Sequence, residues 1–205
     1  MLMSSGVRKF ALTTHVTSSV GWFGSVAAFL ALAIAGMTSA NGQTARSAYV
    51  AMESVTWMVI VPFSCAALLT GIVQGLGTPW GLFRHRWIVA KLLLTVVATV
   101  LLLVHAQGVA RVSAVAADRV LSNTDLLGLR IRLIADAGAA LMALVVATTL
   151  SVYKPWGLTS YGRGGAMSEP EGNADRLWTG LWIAGLLGAF TLFALIHLLG
   201  GAWHH

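Results

Sequence analysis

Five apolar runs dominate this chain, covering about residues 10–37, 49–76, 87–110, 130–153 and 177–203. Each exceeds the ~20 residues that a helix needs to cross ~30 Å of hydrocarbon. Lipid offers no partner to a backbone N–H or C=O, so runs of this kind cross as helices, which satisfy their own backbone. Only 10% of the residues are charged and 57% are hydrophobic, against the ~25% charged of a water-soluble domain. The expectation is an all-α integral membrane protein: an antiparallel bundle of five transmembrane helices forming one domain over residues 1–205.

The segment Met1–Lys9 is short and basic, but the run from Phe10 to Met37 is too long for the 7–15-residue core of a signal peptide. It reads as a retained first span. Turn signals separate the runs: Asn41-Gly42, Gly75 to Gly81 with Pro79, and Lys154-Pro155-Trp156-Gly157. Residues 157–176 combine Gly, Ser, Pro and acids and read as a mobile cytoplasmic loop. Cys65 is the single cysteine, which excludes an intrachain disulfide and a CxxC metal site.

Lys and Arg set the expected orientation. Alternating crossings put Arg8, Lys9, Arg84, Arg86, Lys91, Lys154, Arg163 and Arg176 on the N-terminal side, and Arg46, Arg111, Arg119, Arg130 and Arg132 on the other. Eight against five favours a cytoplasmic N-terminus and an external C-terminus in the cell membrane. Trp80, Trp87, Trp156, Trp178 and Trp182 near one face, with Trp57 and Trp203 towards the other, fit interfacial belts. The net charge of +6 then concerns topology and lipid headgroups, not nucleic acid.

Polar residues at helical spacing mark the faces expected to turn inward. These stripes are His15, Ser18, Trp22 and Ser25; Glu53, Trp57, Ser64 and Gly71; Lys91, Thr95, Ala98, Leu102 and His105; and Asp136, Ala140, Ala143 and Ala147. Pro62 is placed to kink the second helix. Depth then sorts the ionisable groups. His105 and His197 lie roughly five residues from the external ends of their spans, and Glu53, Asp136 and Arg132 enter on the same side. His15 enters from the cytoplasmic side, level with His85, Lys91 and Gln74, and these form a secondary polar site together with Asp136.

Several chemistries suit the outer group. His105 and His197, on different helices at one depth, are placed to hold a haem b iron axially. Copper or zinc would use the same imidazoles with Glu53, and the terminal His204 and His205 offer further ligands. Alternatively each histidine bonds a helix carbonyl or a carboxylate, or serves proton or solute movement. His85 and His105 are twenty residues apart, about 30 Å along a helix; His85 falls at headgroup level, which leaves one cofactor or none. Arg132 and Asp136 are spaced for an intrahelical ion pair. Lys91 is placed to snorkel, and His15 to be hydrogen-bonded among Thr and Ser. No nucleophile–base pair, phosphate loop or HExxH motif indicates a hydrolase. If the chain is catalytic, a membrane redox role is expected; the rival expectation is a non-catalytic accessory or transport component, alone or in a homo-oligomer or membrane complex.

The segments Leu69-Thr70-Gly71, Gly77 to Trp87, Lys91 to Thr95, Asp136 to Leu141 and Leu150 to Pro155 together resemble a group of uncharacterised actinobacterial integral membrane proteins. His15 with Gly21-Trp22-Phe23-Gly24 is similar, over a short stretch, to the first helix of copper resistance D-type membrane proteins. That second resemblance implies a copper or haem link. Methionine-rich copper motifs are missing: Met52 and Met58 are the external-side candidates.

Overall fold

The structure is a computed structural model in which residues 3–78, 81–119 and 126–154 are described. The fifth expected span, residues 177–203, and the expected loop 157–176 lie outside these residues, and so do His197, His204 and His205. All described elements are helical: α1 (Ser5–Thr38), α2 (Gly42–Val55), a π-turn (Thr56–Ile60), α3 (Val61–Gly77), α4 (Arg86–Asp118) and α5 (Leu127–Tyr153). Because α2, the π-turn and α3 run on without a break, these make four helices long and apolar enough to cross a membrane.

The helices extend beyond their apolar runs where local chemistry permits. The Asn41 side chain accepts the Gln43 N–H at 2.9 Å and the Thr44 N–H at 3.2 Å, so α2 begins at Gly42, seven residues before the apolar run. Ser4 caps α1 by accepting the Val7 N–H. Gly81, in the turn before α4, has φ +65°, a left-handed conformation that glycine adopts without strain. α4 continues to Asp118, eight residues past the expected 110.

The π-turn has a covalent cause. Pro62 has no N–H to donate, and its ring crowds the carbonyl four residues back. The hydrogen-bond register widens just upstream, where the Val61 N–H reaches the Thr56 carbonyl, five residues away. The wide turn changes which face points inward. Met52, Thr56, Ile60 and Ser64, at intervals of four, are all 2% exposed or less. The expected stripe Glu53–Trp57–Ser64–Gly71 is accordingly corrected: Ser64 is buried and Gly71 packs against His15, but Trp57 is 48% exposed.

Packing follows chain order around a square. α1 packs on α2, the π-turn, α3 and α5, while α4 packs on α2, α3 and α5. Successive helices run antiparallel, as short turns require. The core joins Trp22 and Phe29 of α1, Tyr49 and Met52 of α2, Val109 and Val112 of α4, and Leu133 and Ala137 of α5. Phe10, Met58, Leu69, Leu93 and Val152 point outward and are exposed, as side chains facing acyl chains would be.

Candidate functional site

Two polar clusters interrupt this apolar interior, one in each half of the bundle. The first belongs to the half nearer the Thr38–Gly42 turn. His105, on the inward stripe of α4, is engaged at both ring nitrogens. Nδ1 lies 2.7 Å from the Leu101 carbonyl and Nε2 lies 3.0 Å from an Arg132 guanidinium nitrogen. A carbonyl only accepts and a guanidinium only donates. The proton therefore sits on Nδ1, and the Nε2 lone pair accepts from Arg132. Asp136, one turn beyond Arg132 on α5, lies within electrostatic reach of both His105 and Arg132. The expected Arg132–Asp136 neighbourhood is thus present and includes His105.

His105 and Asp136 form a polar edge on a cavity of about 90 Å³. The rest of its wall is mostly apolar and includes Trp22, Phe29 and Ile60, with Thr56 of the π-turn contributing a hydroxyl. That hydroxyl donates to the Met52 carbonyl at 2.7 Å. Glu53, expected as a third metal ligand with His105, does not line the cavity and makes no hydrogen bond to His105. Among the described residues no group of three His, Cys, Asp or Glu side chains is placed to hold a metal ion.

The arrangement around His105 bears on the haem expectation. A haem iron, copper or zinc would need the Nε2 lone pair, which Arg132 occupies. A cavity of about 150 Å³ takes benzene, so the ~90 Å³ here is too small for a porphyrin unless the helices separate. The haem expectation rests equally on His197, which lies outside the described residues. α4 also continues for thirteen residues after His105 (118 − 105); the imidazole therefore lies about 20 Å from the helix end, deeper than a site at the rim.

The second cluster occupies the half nearer the Gly77–Arg86 turn. His15 Nδ1 lies 3.0 Å from the Ala67 carbonyl and 3.1 Å from the Thr70 hydroxyl. Gln74 donates to the Ala11 carbonyl at 3.2 Å, so two side chains, His15 and Gln74, join α1 to α3. Lys91 donates to the Ser151 hydroxyl at 3.0 Å and stands 6.0 Å from the Trp87 ring centroid. It is held inside the bundle instead of snorkelling outward. Lys91 and His15 lie within electrostatic reach of one another, as their common depth implied. His85 immediately precedes α4 and pairs with the Trp87 ring at 6.2 Å, whereas the bonds of His15 go to α3. Asp136, grouped with these residues at first, belongs to the other cluster. Trp87 is buried and does not face outward as a belt residue.

One polar centre was not anticipated. Arg130, only 4% exposed, donates from Nε to the Tyr49 hydroxyl at 2.7 Å and from a terminal nitrogen to the Gly36 carbonyl at 3.2 Å. Its guanidinium lies 5.2 Å from the Tyr49 ring centroid. Gly36 permits this, since a Cβ there would come within 2.7 Å of Tyr49. Arg46 reaches the Ala117 carbonyl nearby.

No family model, curated protein or solved structure matches the chain.

Proposed function

We propose that this chain is a five-span protein of the cell membrane, with a cytoplasmic N-terminus and an external C-terminus, acting as a non-catalytic accessory or transport component that carries no cofactor. The observation that carries this reading is the double engagement of His105: one ring nitrogen holds its own helix and the other holds Arg132. An imidazole wired in this way serves a protein-internal polar network. The excess of Lys and Arg on the N-terminal side supports the orientation, and the apolar fifth run supports the span count.

The competing reading places a haem b, or a copper or zinc ion, between His105 and His197, with Glu53 joining for a metal. It requires His105 Nε2 to leave Arg132. An absorption spectrum with elemental analysis on protein extracted in mild detergent separates the two. The proposed role gives colourless protein without stoichiometric metal. A Soret band, or one bound metal per chain, that disappears in both His105→Ala and His197→Ala would replace it with the cofactor reading.

A further inference from the structure

Lys91 enters the bundle interior five residues after the start of α4 (91 − 86), about 7.5 Å along the helix. An ammonium has three donors, and among the described residues one hydroxyl, that of Ser151, accepts from it. The Ser151 hydroxyl itself donates to the Ala147 carbonyl at 2.9 Å. His15 is half-engaged in the same way. Its Nδ1 faces the Ala67 carbonyl, which fixes the proton there, and no hydrogen bond among the described residues engages Nε2. A positive charge and an imidazole nitrogen thus share one level of a low-dielectric interior with bonding capacity to spare. Each is an unusual group to hold inside a membrane bundle with donors or a lone pair left unfilled.

The surroundings favour an anion. Arg8, Lys9 and Arg86 are exposed at this end, which the Met3 N–H to Gly77 carbonyl bond closes around α1 and α3. The described acids lie elsewhere: Glu53 in α2, Asp118 at the far end of α4 and Asp136 fifteen residues (151 − 136) from Ser151 on α5. The field here attracts negative charge.

We propose that Lys91 and His15, with Ser151 positioning the ammonium, form a binding site for a phosphate oxyanion, either inorganic phosphate or the phosphomonoester headgroup of phosphatidic acid. A P–O⁻ oxygen accepts from Lys91. A P–OH donates to His15 Nε2, the nitrogen that the Ala67 bond leaves as an acceptor. The site is separate from the His105 network, and the proposal stands whether or not that network proves cofactor-free.

The test uses full-length protein and reads its thermal unfolding midpoint. One arm titrates inorganic phosphate into protein in a zwitterionic detergent at constant ionic strength, with chloride as the control. The other compares nanodiscs of phosphatidylcholine with and without phosphatidic acid. A saturable rise is expected, weakened about tenfold in apparent affinity by Lys91→Gln and less by His15→Gln, and unchanged by Lys9→Gln. A rise in the first arm alone assigns a soluble anion, and one in the second alone assigns the headgroup. The proposal is overturned if neither arm shows a saturable rise, if chloride matches phosphate, or if Lys91→Gln binds like the wild type. Should Lys91→Gln fail to fold, Lys91→Arg retaining the rise and His15→Gln weakening it are the required results, and equal binding by all three proteins overturns the site.

Discussion

The two halves of this bundle use cations in opposite ways. Near the Thr38–Gly42 turn, Arg130 joins α5 to Tyr49 of α2 and to Gly36 of α1, Arg46 joins α2 to α4, and Arg132 joins α5 to His105 of α4. Each guanidinium donates to backbone carbonyl, hydroxyl or ring-nitrogen acceptors on other helices. Near the Gly77–Arg86 turn, Lys91 meets one hydroxyl and the Trp87 ring. The difference lies in the side chains. A planar guanidinium carries five donors in a fixed fork and can span three helices, whereas an ammonium is a compact point charge that retains donors for something else. One half is a clamp and the other holds capacity in reserve.

If that contrast is right, stability should be concentrated in the clamp. Arg130→Ala is expected to have the largest effect. It removes a buried side chain and leaves the Tyr49 hydroxyl and the Gly36 carbonyl without their donor, a loss of about 3–5 kcal/mol by analogy with broken buried pairs, read as reversible unfolding in mixed micelles. Gly36→Ala attacks the same clamp from the opposite side. Its Cβ would meet Tyr49 at 2.7 Å, and overpacking of this kind costs about 1–3 kcal/mol. Because both act on Tyr49, the double variant should lose less than the two effects added. Strict additivity would show that Arg130 and Gly36 are not parts of one device.

Much of this contrast was legible in the sequence, and the rest was hidden for identifiable reasons. The depth grouping of His15, Gln74 and Lys91 follows from alternating crossings alone, since antiparallel helices fix relative height. The inward stripe from Lys91 to His105 follows from helical period, and Leu93, Val100 and Val104 on the other side are exposed. Arg130 enters the sequence reading only as a topology signal at the start of an apolar run, yet α5 begins three residues earlier, at Leu127. Its partner Tyr49 lies within α2, which the Asn41 cap starts at Gly42, ahead of the apolar run. Helices that outrun their hydrophobic segments carry polar ends, and hydropathy cannot say that those ends pack together. The available signal was local: an Asn-Gly start and a glycine, Gly36, one turn from it across the hairpin. Trp57 was misplaced because a π-turn shifts the phase by about one residue, and Pro62 was the visible cause. The partner of His105 was missed because a guanidinium on the next helix is as good a companion for an imidazole as a second imidazole, and spacing does not choose between them.

The intermediate prediction concerns His105. His105→Gln keeps a polar side chain of similar reach but cannot accept from Arg132 and donate to Leu101 with the same geometry. A loss of about 1–2 kcal/mol is expected, with Arg132→Gln similar and the pair strongly non-additive. Independent effects would mean that the 3.0 Å contact contributes nothing to stability and that His105 is available to other partners.

The smallest effect tests the reserve most sharply. Lys91→Gln should change unfolding by less than about 0.5 kcal/mol in the absence of phosphate, the range of substitutions away from a structural network. Glutamine can still donate to Ser151, and among the described residues Lys91 has no ion pair to be broken. The Arg130 and Lys91 variants thus remove the same unit charge from opposite halves of one bundle and should differ several-fold in cost. Equal losses would mean that Lys91 is as much a fastening as Arg130, and the division of labour between the two ends would have to be abandoned.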